Sequence, residues 1–154
     1  MTLAKGLGGG VPLAALLAHR DVACFEYGDK GGTFCGNPLM AAAGCAVLDT
    51  ITAPGFLARV AAAGQHLAAR LRQLAVRFGG GEVRGRDLLQ ALALPDGVAL
   101  AVVERTQEAG LLINAPRLDT LRFMPALTVT DAEIDRMTEL LDGVLSELRA
   151  GAAS

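Results

Sequence analysis

Between Pro54-Gly55 and the triplet Gly79-Gly80-Gly81, apolar side chains fall at Phe56, Val60, Leu67, Leu71, Leu74 and Phe78. Steps of four, seven, four, three and four residues keep them on one face of an α-helix. The pattern predicts one long amphipathic helix with glycine and proline breaks at both ends. Placed mid-chain, such a helix divides the 154 residues into two parts, and the parts do not look alike.

Before the helix, glycine and proline cut the chain into short pieces. A glycine cluster punctuates residues 1–18, and a polar loop runs from Tyr27 to Gly36. Asn37-Pro38 then reads as a helix start, an N-cap side chain followed by a proline whose missing N–H costs nothing in the first turn. That helix is expected to reach about Thr50. Its run Ala41-Ala42-Ala43-Gly44-Cys45-Ala46 suits close approach to a neighbour.

After the long helix the pattern changes. A strand-like Leu88 to Leu94 leads to a turn at Pro95-Asp96-Gly97, a helix to about Ala109, and strands around Leu111 to Ile113 and Leu121 to Met124. The last helix is the clearest. Thr130 and Glu133 form a capping box, and Ile134, Met137, Leu140, Leu141, Val144, Leu145 and Leu148 make its apolar face.

Composition narrows the function classes. A net charge of −2 supplies no basic field for nucleic acid or anionic lipid. Hydrophobic residues make up 52% of the chain, so either the core is large or some apolar faces expect a partner. No uncharged stretch has the roughly 20 apolar residues of a membrane helix; Gly31 to Leu48 is broken by Asn37 and Pro38. Cys24, Cys35 and Cys45 lack paired C-x-x-C spacing and read as reduced thiols of a cytoplasmic protein. His19 and His66 have no adjacent ligand pattern, so no metal site is expected.

The chemistry gathers at Leu3-Ala4-Lys5-Gly6-Leu7-Gly8-Gly9-Gly10-Val11-Pro12. A lysine amine in a tight, partly desolvated turn is what an imine-forming residue needs, because burial favours the neutral nucleophile. By composition alone a lysine beside a glycine turn is more often a solvent-facing cation. The segment is not a P-loop, since no Gly-Lys-Ser/Thr follows, and Val11 breaks G-x-G-x-x-G.

Three segments, in order, resemble those of class III pyridoxal-phosphate-dependent aminotransferases, within them the acetylornithine aminotransferases. They are Leu3 to Gly10, then Gly28-Asp29-Lys30-Gly31-Gly32-Thr33-Phe34-Cys35-Gly36-Asn37-Pro38-Leu39, then Leu121-Arg122-Phe123-Met124-Pro125-Ala126-Leu127-Thr128-Val129-Thr130. The resemblance implies that Lys5 holds pyridoxal phosphate covalently and later shuttles a proton. It implies that Thr33 binds the cofactor phosphate, from the neighbouring subunit of a homodimer, and that Arg122 pairs with a substrate carboxylate. Gly32 stands where many relatives carry a substrate-contacting serine or threonine. Lys30 and Cys35 depart from the family's histidine and glycine.

The implied architecture is α/β, a truncated fold-type I transferase. Residues 1–54 would end the large cofactor domain, 55–79 would form a connecting helix, and 80–154 the small carboxy-terminal domain. The parent reaction would carry an amino group from N-acetylornithine to 2-oxoglutarate in arginine biosynthesis. Ornithine, succinylornithine or 4-aminobutyrate are the alternative donors. The family's upstream phosphate loop, stacking aromatic and pyridinium-pairing acid all precede the lysine, so this chain is expected to be an incomplete fragment, inactive alone. A non-catalytic remnant that serves only as an association surface is the rival expectation.

Overall fold

Asn37 begins helix α1 (Pro38–Thr52) as the sequence predicts. Its Oδ1 accepts from the N–H groups of Leu39 and Met40 at 3.0 and 3.3 Å, and Pro38 takes the first helical position. The computed structural model describes residues 1–79, 81–94 and 97–152. The chain forms two compact units, Met1–Leu57 and Ala58–Ser154.

In the first unit, β1 (Thr2–Leu3) pairs antiparallel with β2 (Ala15–Leu16), and the Met1 ammonium donates to the Leu17 carbonyl at 2.6 Å. The glycine-rich turn between them lies against α1. Gly44, the one buried residue of that helix, makes the approach possible: a Cβ there would run into the Leu13 side chain and stand 3.7 Å from the Leu7 carbonyl oxygen. The small-residue run thus does what its composition suggested. Little else in the unit is covered, and Leu16, Leu17, Val22, Phe25 and Phe34 are all exposed.

The predicted long helix is α2 (Phe56–Phe78), and it buries Val60, Leu67, Leu71 and Leu74 together with Ala63, Gly64, Ala68 and Ala75. The buried stripe is therefore wider than the large apolar residues alone indicate. A four-stranded antiparallel sheet follows in the order β3-β4-β6-β5, with β3 (Val83–Arg86), β4 (Leu89–Ala93), β5 (Asn114–Arg117) and β6 (Thr120–Phe123). Gln90 lies opposite Phe123 and Leu92 opposite Leu121. All four are buried, so this face of the sheet belongs to the core with Leu67, Leu71, Ile134 and Leu141.

Two strands depart from expectation. β3 has one apolar residue, Val83, and a glycine at 85, so it carries no strand signal; it exists because β4 supplies the ladder to an edge position. β5 starts at Asn114, past the apolar Leu111 to Ile113, because the Leu111 N–H is spent on the Thr106 carbonyl at 2.8 Å, closing the end of α3 (Ala99–Glu108). Pro95 and Asp96 of the predicted turn lie outside the described residues.

Helix α4 (Asp131–Ala152) runs parallel to α2, since partners rise together in number. Arg59 donates to the Leu127 carbonyl at 2.7 Å, Asp135 meets His66 at 2.9 Å and Arg70 at 3.0 Å, and Arg77 meets Asp142 at 2.6 Å. The capping box is present as predicted. Glu133 accepts from the Thr130 N–H at 2.8 Å and hydroxyl at 2.9 Å, and the Glu133 N–H returns a bond to that hydroxyl at 3.3 Å.

The Thr130 backbone bond first, and its hydroxyl second, hold the Glu133 carboxyl below the ordinary glutamate range. A pKa lowered on folding gives stability that is complete above the unfolded value and disappears as pH falls through the folded one. Acid titration followed by helical circular dichroism should therefore show a loss on the acid side of the glutamate range. Glu133→Gln keeps an oxygen acceptor and should flatten that limb; an unchanged acid slope would exclude the assignment.

Candidate functional site

Lys5 opens a 3-10 turn, Lys5–Gly8, after an extended Ala4. The Leu7 N–H donates to the Ala4 carbonyl at 3.2 Å and the Gly9 N–H to the Gly6 carbonyl at 3.1 Å. Within this turn Lys5 takes φ +54°, and among the described residues only Asp87 is another non-glycine with positive φ. The left-handed region costs a side-chain-bearing residue on the order of 1–2 kcal/mol. A lysine held where glycine would sit without strain points to a use for its side chain. Lys5 is exposed, and its amine makes no hydrogen bond or ion pair among the described residues. The tight turn is as predicted. The partial desolvation is not: the first unit places no wall over the amine.

Thr33 and Gly32 lie in the loop that feeds the Asn37 cap. The Cys35 N–H donates to the Gly32 carbonyl at 3.0 Å and the Asn37 N–H to the Phe34 carbonyl at 3.2 Å. Thr33 is exposed, and neither its hydroxyl nor its N–H has a partner among the described residues. Two free donors on one residue, in a loop of glycines, match what a phosphate requires. At Gly32 a Cβ would come within 2.7 Å of the Cys35 sulfur. The thiol, the tip of an exposed side chain, lies where a side chain at 32 would begin and would have to turn aside for one.

Arg122 stands on β6 of the second unit, half-buried, on the sheet face opposite Leu121 and Phe123. Its Nε donates to Asn114 Oδ1 at 3.1 Å, and it forms no ion pair among the described residues. With Leu112, Met124, Pro125, Glu133 and Met137 it lines a cavity of about 150 Å³. A wider cleft of about 290 Å³ between α2 and α4 is lined by Arg70, Arg77 and Asp142, whose charges are already paired.

The segments bearing Lys5 and Thr33 both attach to α1, one packed on its side and one ending at its cap, within Met1–Leu57. Arg122 belongs to Ala58–Ser154. Asn114 was not visible to sequence reasoning, because the strand predicted at Leu111 to Ile113 left it outside the ladder. No single helix among the described residues is long and apolar enough to cross a membrane.

Comparison with known proteins shows the family of the chain. Residues 1–145 match the family model described as Aminotransferase class-III. Acetylornithine aminotransferase 2 of Bordetella parapertussis is 53% identical over 152 residues, which are 97% of this chain and 38% of that protein. The crystal structure of N-acetylornithine aminotransferase from Stenotrophomonas maltophilia superposes with a TM-score of 0.83 at 33% identity, over 97% of this chain and 40% of that one. Ornithine aminotransferase from Toxoplasma gondii, whose active site holds pyridoxal phosphate at partial occupancy, superposes with a TM-score of 0.87 at 29% identity, over 99% of this chain and 38% of that one.

The chain thus belongs to the class III aminotransferases, a pyridoxal-phosphate-dependent enzyme family that works on amino donors and oxo acids. It is a homologue of the acetylornithine aminotransferases, with a mixed α/β architecture that matches part of the fold-type I structure of these enzymes, and it spans about 38% of the length of the curated relatives it matches.

Proposed function

We propose that this chain carries the cofactor lysine, a phosphate-binding threonine and a substrate-binding arginine of an enzyme that moves an amino group from N-acetylornithine to 2-oxoglutarate, in arginine biosynthesis. The strained backbone of Lys5 supports the reading most strongly, because it marks a side chain kept at a cost. Pyridoxal phosphate, when bound, supplies an electron sink for the charge left on losing the substrate proton. Lys5 Nζ would hold it covalently and, once released, carry the proton at the substrate carbon that bears the amino group. The Thr33 hydroxyl and N–H would donate to the phosphate. The Arg122 guanidinium would take a substrate carboxylate. The amino donor and the oxo acid would use this one site in turn, the order of a ping-pong cycle.

On this reading residues 1–54 derive from the end of a large cofactor domain and residues 80–154 from a small domain. The three exposed, unpaired cysteines suit the cytoplasm. Gly32 offers a substrate no side chain, which keeps ornithine, succinylornithine and 4-aminobutyrate as alternative donors. The exposed Leu16, Leu17, Val22 and Phe25 favour a second reading, a remnant that persists as an association surface.

The test supplies the upstream part of a class III relative and titrates the assembly with pyridoxal phosphate. Thr33→Ala should weaken cofactor binding about tenfold, the effect of roughly one lost charge-assisted hydrogen bond. Mixing Thr33→Ala with Lys5→Ala subunits should recover activity if the threonine serves the adjoining subunit of a homodimer, since one site then carries both defects and the other neither. Heterodimers without recovery would assign Thr33 to its own subunit. Amino transfer absent from every assembly would leave the association surface as the function.

A further inference from the structure

Antiparallel register places three residues in one row across the sheet: Ala91 of β4, Arg122 of β6 and Asn114 of β5. Side chains directly opposite on neighbouring strands are near enough to interact. On one side of Arg122 the neighbour is a methyl group, which leaves the guanidinium free. On the other, the amide oxygen of Asn114 accepts from Nε at 3.1 Å. The ladder shifts between Asn114 and Arg117, so Asn114 pairs in register at the start of β5 with an irregularity directly after it.

A guanidinium can meet a carboxylate along either of two edges, Nε with one Nη or the two Nη atoms together. The Asn114 amide occupies the first edge and leaves the second. It is also neutral. Arg70, Arg77, Arg84, Arg86 and Arg105 each face a carboxylate, whereas Arg122 is oriented by a group that takes none of its charge.

We infer that Asn114 is a positioning residue for the carboxylate arginine: it turns the Nη edge of Arg122 toward the ligand while leaving its positive charge unspent. This rests on the reading of Arg122 as a substrate-carboxylate group. The amide fixes orientation without competing for the ligand, which an aspartate at 114 would do.

Two measurements test it. In the 154-residue chain, the Arg122 Nε–H followed by nitrogen-15 NMR should exchange with water more slowly than that of exposed Arg72. Asn114→Ala should abolish the difference and Asn114→Asp should keep it. In the active assembly, Asn114→Asp should raise the KM for 2-oxoglutarate about tenfold with a smaller change in kcat, and Asn114→Ala about threefold. In an Arg122→Lys background neither substitution should add to the defect, because the group they orient is gone. Should Arg122→Lys itself leave the oxo-acid KM at the parent value, the carboxylate reading of Arg122 fails. If Arg122→Lys raises KM while the Asn114 variants match the parent, or if the Arg122 Nε–H exchanges as fast as that of Arg72, the positioning inference is overturned.

Discussion

Lys5→Ala should abolish covalent cofactor attachment in the active assembly and lower amino transfer on the order of a thousandfold, the scale expected when a positioned proton-transfer group is lost. Borohydride reduction of the parent assembly should fix the cofactor on the peptide that contains Lys5. Label on Lys30 instead would refute the assignment. The backbone adds a second arm that does not depend on activity. At φ +54° a glycine is unstrained, so Lys5→Gly should raise the stability of the chain by about 1 kcal/mol over Lys5→Ala, read from the denaturant midpoint. A substitution that removes function and gains stability is the mark of a residue kept for its chemistry. Equal midpoints for the two variants would mean that the left-handed conformation does not persist in solution.

Gly64→Ala is expected to cost about 3 kcal/mol, toward the upper end for overpacking a core. Gly64 sits on the buried face of α2, where a Cβ would collide with the backbone Cα, carbonyl carbon and oxygen of Asp87. Backbone cannot turn aside as a side-chain tip can, and Asp87 is itself held at φ +48° between β3 and β4. The clash can be relieved only by moving the helix off the sheet hairpin. Gly143 is the control, since a Cβ there meets nothing within 4 Å and lies inside α4. Gly143→Ala should stabilise by about 1 kcal/mol through helix propensity alone. Thermal melts of both variants decide the matter; a Gly64→Ala midpoint equal to the parent would show that α2 does not pack this closely.

Helices were legible because their signals are local. Asn37-Pro38 and the Thr130–Glu133 box mark starts through bonds that span three residues or fewer, and periodicity alone located α2. Strands were less so. β3 has no apolar alternation, and β5 begins after its apolar residues because a carbonyl of α3 takes the Leu111 N–H. Both depend on partners far away in the chain. Of the residues proposed for the site, Lys5 and Thr33 were found through the segments around them, whereas the small-residue run of α1 was readable as a close-approach surface without revealing what would approach.

Sequence by itself determined the family segments, the capped starts of α1 and α4, and the candidate lysine, threonine and arginine, since each is written in contiguous residues. Tertiary structure alone decided three things. It set the left-handed backbone of Lys5, because a dihedral is a property of the folded turn rather than of the residue type. It brought the Cys35 sulfur to the place where a side chain at Gly32 would begin. It put Asn114 opposite Arg122, because the register of an antiparallel ladder is fixed by strand pairing, and a shift by one residue would have turned every side chain of the strand to the other face.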